Sequence, residues 1–188
     1  KGGSMLWMRQ TGESALSLPA FGDLDGDGRT DCVFTLEGEG LVLAVAGATG
    51  SEIRRWNVPQ VGCWRPSLAD ADGDGALDVL VASAGGPGWV AALAGKGDRE
   101  LWRSPAGTES WFAPVVFDVE GSLECAVADG ATGLAIRSAR DESLVTQFDL
   151  GSMPRQPPVA ADLDGDGRPE LVVVVEGHVL ALRVPRRR

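Results

Sequence analysis

The chain predicts an all-β fold, a β-propeller of four four-stranded blades, and three observations carry that expectation. An acidic nine-residue string recurs along the sequence. Its copies begin at Asp23, Asp70, Asp118 and Asp162, spaced 47, 48 and 44 residues apart. Each interval divides into four short apolar runs separated by glycine-rich turns. Periods in the forties with several short strands per unit belong to propeller blades rather than to helical repeats.

The strings are Asp23-Leu24-Asp25-Gly26-Asp27-Gly28-Arg29-Thr30-Asp31, Asp70-Ala71-Asp72-Gly73-Asp74-Gly75-Ala76-Leu77-Asp78 and Asp162-Leu163-Asp164-Gly165-Asp166-Gly167-Arg168-Pro169-Glu170. Carboxylates at positions 1, 3, 5 and 9 repel one another unless a cation joins them. Glycines at positions 4 and 6 let the backbone turn tightly enough for the side chains to converge. Hard oxygen donors in a flexible loop suit Ca²⁺, with the carbonyl at position 7 (Arg29, Ala76, Arg168) completing the shell. Three Ca²⁺ sites are therefore expected. The third repeat has a copy two residues short, Asp118-Val119-Glu120-Gly121-Ser122-Leu123-Glu124, which predicts a weak or empty site. An EF-hand is excluded: its twelfth position needs a bidentate carboxylate, and Phe34, Val81 and Val173 stand there.

Taken in order, the first repeat (near 12–58) predicts strands over 19–24, 31–36, 41–46 and 53–58. The second (59–104) predicts 67–70, 77–83, 89–94 and 100–104. The third (105–150) ends on a strand near 144–150, and the fourth (151–184) supplies 159–162, 170–175 and 178–184. A proline lies four residues before each first aspartate: Pro19, Pro66, Pro114 and Pro158. The fourth repeat lacks a last strand, whereas the stretch 5–10 has one to spare. Trp7 there falls where Trp56, Trp102 and Phe148 sit in the other units. Joining it to the C-terminal blade would close the ring and remove an exposed sheet edge. The whole of 1–188 reads as one such domain.

The 188 residues carry a formal charge of −10, which argues against nucleic acid as a partner. Twelve of the 27 acidic residues lie in the three complete loops, and three Ca²⁺ would reduce the charge from −10 to −4. No apolar run approaches the ~20 residues of a membrane-spanning helix. Three cysteines give no disulfide framework: Cys32 and Cys125 read as buried strand residues and Cys63 as a free thiol near a loop.

The complete loops, the upstream prolines and the Phe21-Gly22 pair resemble the FG-GAP/VCBS repeat, the calcium-loop blade of integrin-α-like propellers and of many secreted proteins. The turn-and-tryptophan segments 48–56 and 96–102 also resemble blades of quinoprotein-type propellers. The resemblance implies a calcium-stabilised scaffold and an extracellular binding or adhesion role toward a protein or glycan. Integrin-like members usually have seven blades. Four units leave open a complete small ring, half of an eight-bladed dimer formed by self-association, or a fragment of a larger propeller.

Calcium sites of extracellular modules bind at ~10⁻⁴–10⁻³ M, so such loops fill outside the cell and stay largely empty at cytosolic calcium. An extracellular or cell-surface location is the matching expectation. Trp64, Arg65, Trp89, Trp111, Phe112 and Arg155, with Gln156, stand in connectors and turns predicted to lie away from the calcium loops. Aromatics beside Arg and Gln suit a sugar ring or a protein anchor, and equally suit a plug in the central channel. Catalysis is not expected. A single histidine, His178, assembles no nucleophilic triad, and the clustered carboxylates are better used as calcium ligands than as a glycosidase pair. The remaining alternatives are a structural propeller without a small ligand and a non-catalytic part of a secreted enzyme.

Overall fold

The computed structural model describes residues 3–12, 17–36, 40–62, 64–83, 85–106, 112–130, 132–154 and 156–186. Blade 1 is β1 (Ala20–Gly22), β2 (Asp31–Leu36), β3 (Leu41–Val45) and β4 (Glu52–Asn57). Blade 2 is β5 (Ser67–Ala69), β6 (Asp78–Ala82), β7 (Trp89–Leu93) and β8 (Glu100–Pro105). Blade 3 is β9 (Val115–Val119), β10 (Ser122–Asp129), β11 (Gly133–Ser138) and β12 (Leu144–Asp149). Blade 4 has three strands among the described residues, β13 (Val159–Ala161), β14 (Glu170–Val175) and β15 (His178–Arg183). Every sheet is an antiparallel meander in chain order, as short hairpin connections dictate.

The elements follow from local chemistry. Each repeat proline immediately precedes the first strand of its blade, where a missing N–H costs no ladder bond. In all three four-stranded blades the register shifts by a bulge between the third and fourth strands, at Ala44/Val45, Ala92/Leu93 and Ile136/Arg137. The bulges add twist to the outer strand of each blade.

The core lies between blades. Val33, Val42 and Ala44 of blade 1 pack on Val79, Val81, Ala91 and Leu93 of blade 2. Leu80, Val90 and Ala92 on the other face of blade 2 meet Cys125, Val127 and Ala135 of blade 3. Ala126, Leu134 and Ile136 then meet Leu171, Val173 and Val175 of blade 4. Trp56 donates its indole N–H to Ala94 O of blade 2 at 3.3 Å, and Trp102 donates to Ala139 O of blade 3 at 2.8 Å. Phe148 packs into the core shared with blade 4. The recurrent aromatic of the outer strand thus links each blade to the next.

Trp7 behaves in the same way. It donates to Gly47 O of blade 1 at 2.8 Å and packs beside Leu43 and Val45. A Cβ on Gly50 would come within 2.6 Å of the Trp7 ring, so this glycine makes room for the indole as well as adopting a φ of 70°. The expected strand over 5–10 is not formed, however. Its residues carry no strand pairing among the described residues, and β15 has a neighbour only on its β14 side.

Candidate functional site

The three acidic loops join the first strand of a blade to the second. Gly22 faces Asp31, Ala69 faces Asp78 and Ala161 faces Glu170, so each loop is held at its base by a ladder pair. Inside, the position-1 aspartate organises the turn with both oxygens. Asp23 accepts from Gly26 N at 2.8 Å and Gly28 N at 2.9 Å; Asp70 and Asp162 repeat the pattern on Gly73 and Gly75, and on Gly165 and Gly167. These six glycines all have φ between 79° and 84°, and a Cβ on any of them would meet nothing within 4 Å. Glycine is required there for conformation and not for space.

The carboxylates converge as a metal needs. Oxygens of Asp23, Asp25 and Asp27, of Asp70, Asp72 and Asp78, and of Asp162, Asp164 and Glu170 lie within 4.8 Å of one another in each loop. Asp74 and Asp166 fall outside these tightest groups, and each accepts the N–H of its position-7 residue, Ala76 and Arg168, as Asp27 does from Arg29. An all-oxygen donor set of this density fits Ca²⁺. Blades 2 and 4 bring basic side chains to the same carboxylates: Arg99 pairs with Asp72 at 2.8 Å, and Arg183 pairs with Asp164 and Glu170. Charge neutralisation is what the loops demand, with or without an ion.

Position 9 has a second task that its spacing alone does not reveal. Asp31 accepts from Leu24 N at 3.0 Å and from Gly47 N at 3.2 Å, and Asp78 accepts from Ala71 N at 2.8 Å and Gly95 N at 2.7 Å. This buried carboxylate ties the acidic loop to the turn after the third strand. A Cβ on Gly47 or Gly95 would lie 2.0 Å from the carbonyl oxygen of Thr30 or Leu77, so the approach is possible only for glycine. The sequence signal for it is a glycine 16 or 17 residues after position 9 in the first two repeats. Burial pushes the Asp78 carboxyl up, opposed by the N–H groups of Gly95, Ala71 and Asp72, while the charge on Asp72 adds to the rise.

The short third-repeat copy is built differently. Glu120 (φ 54°) and Gly121 (φ 87°) are the two central residues of a tight hairpin closed by the Val119 and Ser122 pair. Positive φ at both positions is the geometry of a type I′ turn, whose twist matches that of its strands. The acids of this turn do not converge into a cluster among the described residues. Glu120 pairs outward with Arg186 at 2.7 Å, and Glu124 is buried with one oxygen bonded by Ser122 Oγ at 3.0 Å.

At the opposite ends of the first strands, beside the prolines, runs a groove of about 740 Å³. Trp64, Arg65, Ser67, Phe112, Val116 and Gln156 are among its lining residues. Arg65 and Gln156 are exposed, and Trp64 is half-buried against the core between blades 2 and 3. Two expected ligand residues are corrected. Trp89 is buried between blades 1 and 2 with the Arg103 guanidinium 3.9 Å from its ring centre, because β7 begins at this residue and turns it inward. Phe112 is buried in the core of blades 3 and 4, and only borders the groove. Trp111, Arg155 and Cys63 lie outside the described residues. His178 is exposed at the start of β15 beside Glu176 O, apart from both features.

Known proteins share this architecture. The family model described as an FG-GAP-like repeat matches residues 23–81, which span the first two acidic loops. Residues 23–81 are an FG-GAP-like repeat on a propeller fold. Among solved structures, the computationally designed Ika4 protein is 14% identical with a TM-score of 0.65, covering 97% of this chain and 99% of its own. Rhamnogalacturonan lyase PL11 of Bacillus licheniformis is 17% identical with a TM-score of 0.57, over 89% of this chain and 42% of the lyase. BamB of Moraxella catarrhalis is 12% identical with a TM-score of 0.54, over 84% of this chain and 44% of BamB. The chain thus spans less than half the length of these two natural proteins, and at such identities the likeness is one of fold. No curated protein sequence matches it. Among the described residues no helix is long and apolar enough to cross a membrane.

Proposed function

We propose that this chain is a calcium-stabilised binding module that works at extracellular or cell-surface calcium and recognises a protein or carbohydrate ligand. The observation that carries the calcium reading is the convergence of carboxylate oxygens within 4.8 Å in three separate loops, each preformed by glycines of positive φ. With dissociation constants near ~10⁻⁴ M and about 1 mM free ion, each filled loop adds on the order of 1.4 kcal/mol to stability. Calcium is thus a staple of the scaffold, and the binding surface is the groove at the other end of the inner strands. There the exposed Arg65 guanidinium and Gln156 amide stand beside apolar Leu18, Phe21 and Val116, a mixture suited to sugar hydroxyls or a peptide carboxylate.

The test is binding of the purified chain to glycan and extracellular-matrix arrays in calcium and in chelator. A calcium-dependent signal that Arg65→Ala or Trp64→Ala reduces at least tenfold is the expected result. Binding indifferent to chelator and to both substitutions would overturn the assignment of the groove.

A further inference from the structure

The three complete loops share one pattern of acids but not one pattern of cations. The turns after β3 in blade 1 and after β7 in blade 2 are built alike. Ala46 N donates to Ser51 O at 2.8 Å, and Ala94 N donates to Arg99 O at 3.0 Å. Gly47 and Gly95 each donate to the position-9 aspartate of their own blade. Position by position, Ala48 and Ser51 therefore stand where blade 2 has Lys96 and Arg99. Those two basic side chains reach back to the acidic loop. Arg99 lies 2.8 Å from Asp72 Oδ2, and Lys96 Nζ donates to Asp74 O at 2.9 Å with Asp74 Oδ1 3.6 Å away. In blade 4 the cation comes from a strand: Arg183, the ladder partner of Glu170, pairs with Glu170 and Asp164.

The blade 1 loop has no such counter-ion. Among the described residues no ion pair reaches Asp23, Asp25 or Asp27. The basic side chains of this blade are engaged elsewhere: Arg9 and Arg55 pair with Glu52, and Arg54 pairs with Asp98. Arg29, at position 7, is exposed and pairs with no carboxylate among the described residues. Arg54 and Lys96 border one cleft of about 580 Å³ with Asp23 and Asp25, yet Arg54 is held by Gly97 O and Lys96 by Asp74. A dication entering the blade 2 loop meets two positive charges already paired with its ligands. In blade 1 the same donors carry their charge uncompensated, so the ion is attracted without a competitor.

We infer that these basic side chains rank the three loops for calcium. The blade 1 loop fills first and most tightly. Lys96 and Arg99 in blade 2, and Arg183 in blade 4, are internal counter-ions that calcium must displace or outweigh. The inference rests on the calcium reading proposed above and adds an order to it: the chain fills in steps, one loop at lower calcium and two more as calcium rises. Lys96 and Arg99 are 62% and 60% exposed, so solvent screens each attraction. The separation between the blade 1 and blade 2 loops is then roughly three- to tenfold in Kd.

Isothermal titration of the whole chain with calcium, with native mass spectrometry as the count, tests this. The expected result is one tighter ion and two weaker ones, with Asp25→Asn removing the tighter. Lys96→Ala combined with Arg99→Ser, which grafts in the blade 1 pattern, should tighten one weak site roughly three- to tenfold. Ala48→Lys combined with Ser51→Arg should weaken the tight site by a similar factor. Melting separates this role from a structural one: the Lys96→Ala, Arg99→Ser chain melts below wild type in chelator and level with it in saturating calcium. Three indistinguishable sites would overturn the ranking and leave the calcium reading standing. So would exchanged turns that change no constant, or loss of a weak ion in Asp25→Asn. No calcium binding at all would overturn the calcium reading itself, and the ranking with it.

Discussion

The acidic loop of blade 1 and the β9–β10 hairpin of blade 3 solve one problem in two ways. Both reverse the chain between the first and second strands of a blade. In blade 1 the strands stop early, at three residues for β1, and the loop between them brings Asp23, Asp25 and Asp27 together. In blade 3 the loss of two residues lets the ladder run on, so β9 has five residues and β10 has eight. Backbone hydrogen bonds and a two-residue turn then do what clustered carboxylates do in the other blades. On the calcium reading proposed above, one kind of blade has a stability that depends on the ion, and the other kind does not.

The largest effect that tests this contrast is removal of the ion. Three loops at on the order of 1.4 kcal/mol each sum to about 4 kcal/mol, which for a chain of this size lowers Tm by roughly 8–16 °C. Differential scanning calorimetry in about 1 mM calcium against chelator measures it. Identical melts would break the comparison at its root.

Next comes Gly95→Ala, whose Cβ would sit 2.0 Å from Leu77 O and prise the third-strand turn from Asp78. Overpacking at such a site costs about 1–3 kcal/mol, and urea unfolding shows it with and without calcium. Asp25→Asn is more selective. It removes one ion and the associated contribution of about 1.4 kcal/mol in calcium, and changes little in chelator. Gly121→Ala does the reverse: its φ of 87° penalises a side chain by about 1–2 kcal/mol whether or not calcium is present.

The smallest effect is read from two thiols. Burial, with the neighbouring Glu124 charge, pushes the Cys125 thiol up to about 12, and burial with Asp31 raises that of Cys32. Both thiols are therefore protonated and slow to alkylate at pH 8. Chelation should speed labelling of Cys32, which follows position 9 of an acidic loop, and leave Cys125 of blade 3 protected. Mass-spectrometric mapping of iodoacetamide labelling separates the two. The sign of the pH effect follows from the same shift. The unfolded Cys125 thiol ionises near 9.0 and the folded one near 12, so stability present below pH 9 is lost as the pH rises toward 12.

Much of this contrast is legible in the amino-acid sequence alone. The spacing of Asp23, Asp70, Asp118 and Asp162 sets the blades, and the prolines mark each first strand, because both are local signals repeated four times. Strand boundaries follow to within a residue or two. The fate of single aromatics is not local. Trp89 and Phe112 stand next to glycine or near proline and read as exposed, yet the sheet face onto which each projects is set by register with strands elsewhere. The close approach of Gly47 to Thr30 is likewise a contact between two turns 17 residues apart. The 5–10 segment has the pattern of a strand, but pattern alone does not say which edge it meets. At Glu120-Gly121 the sequence reads as a damaged loop, while the shortened chain finds a regular turn of its own.

The measurement that bears most directly on the account is the number of calcium ions bound per chain, by isothermal titration with native mass spectrometry as the count. Three ions per chain, falling to two in Asp25→Asn and unchanged in Gly121→Ala, is the expected result. No binding at millimolar calcium, or a fourth ion held by the blade 3 hairpin, would contradict it.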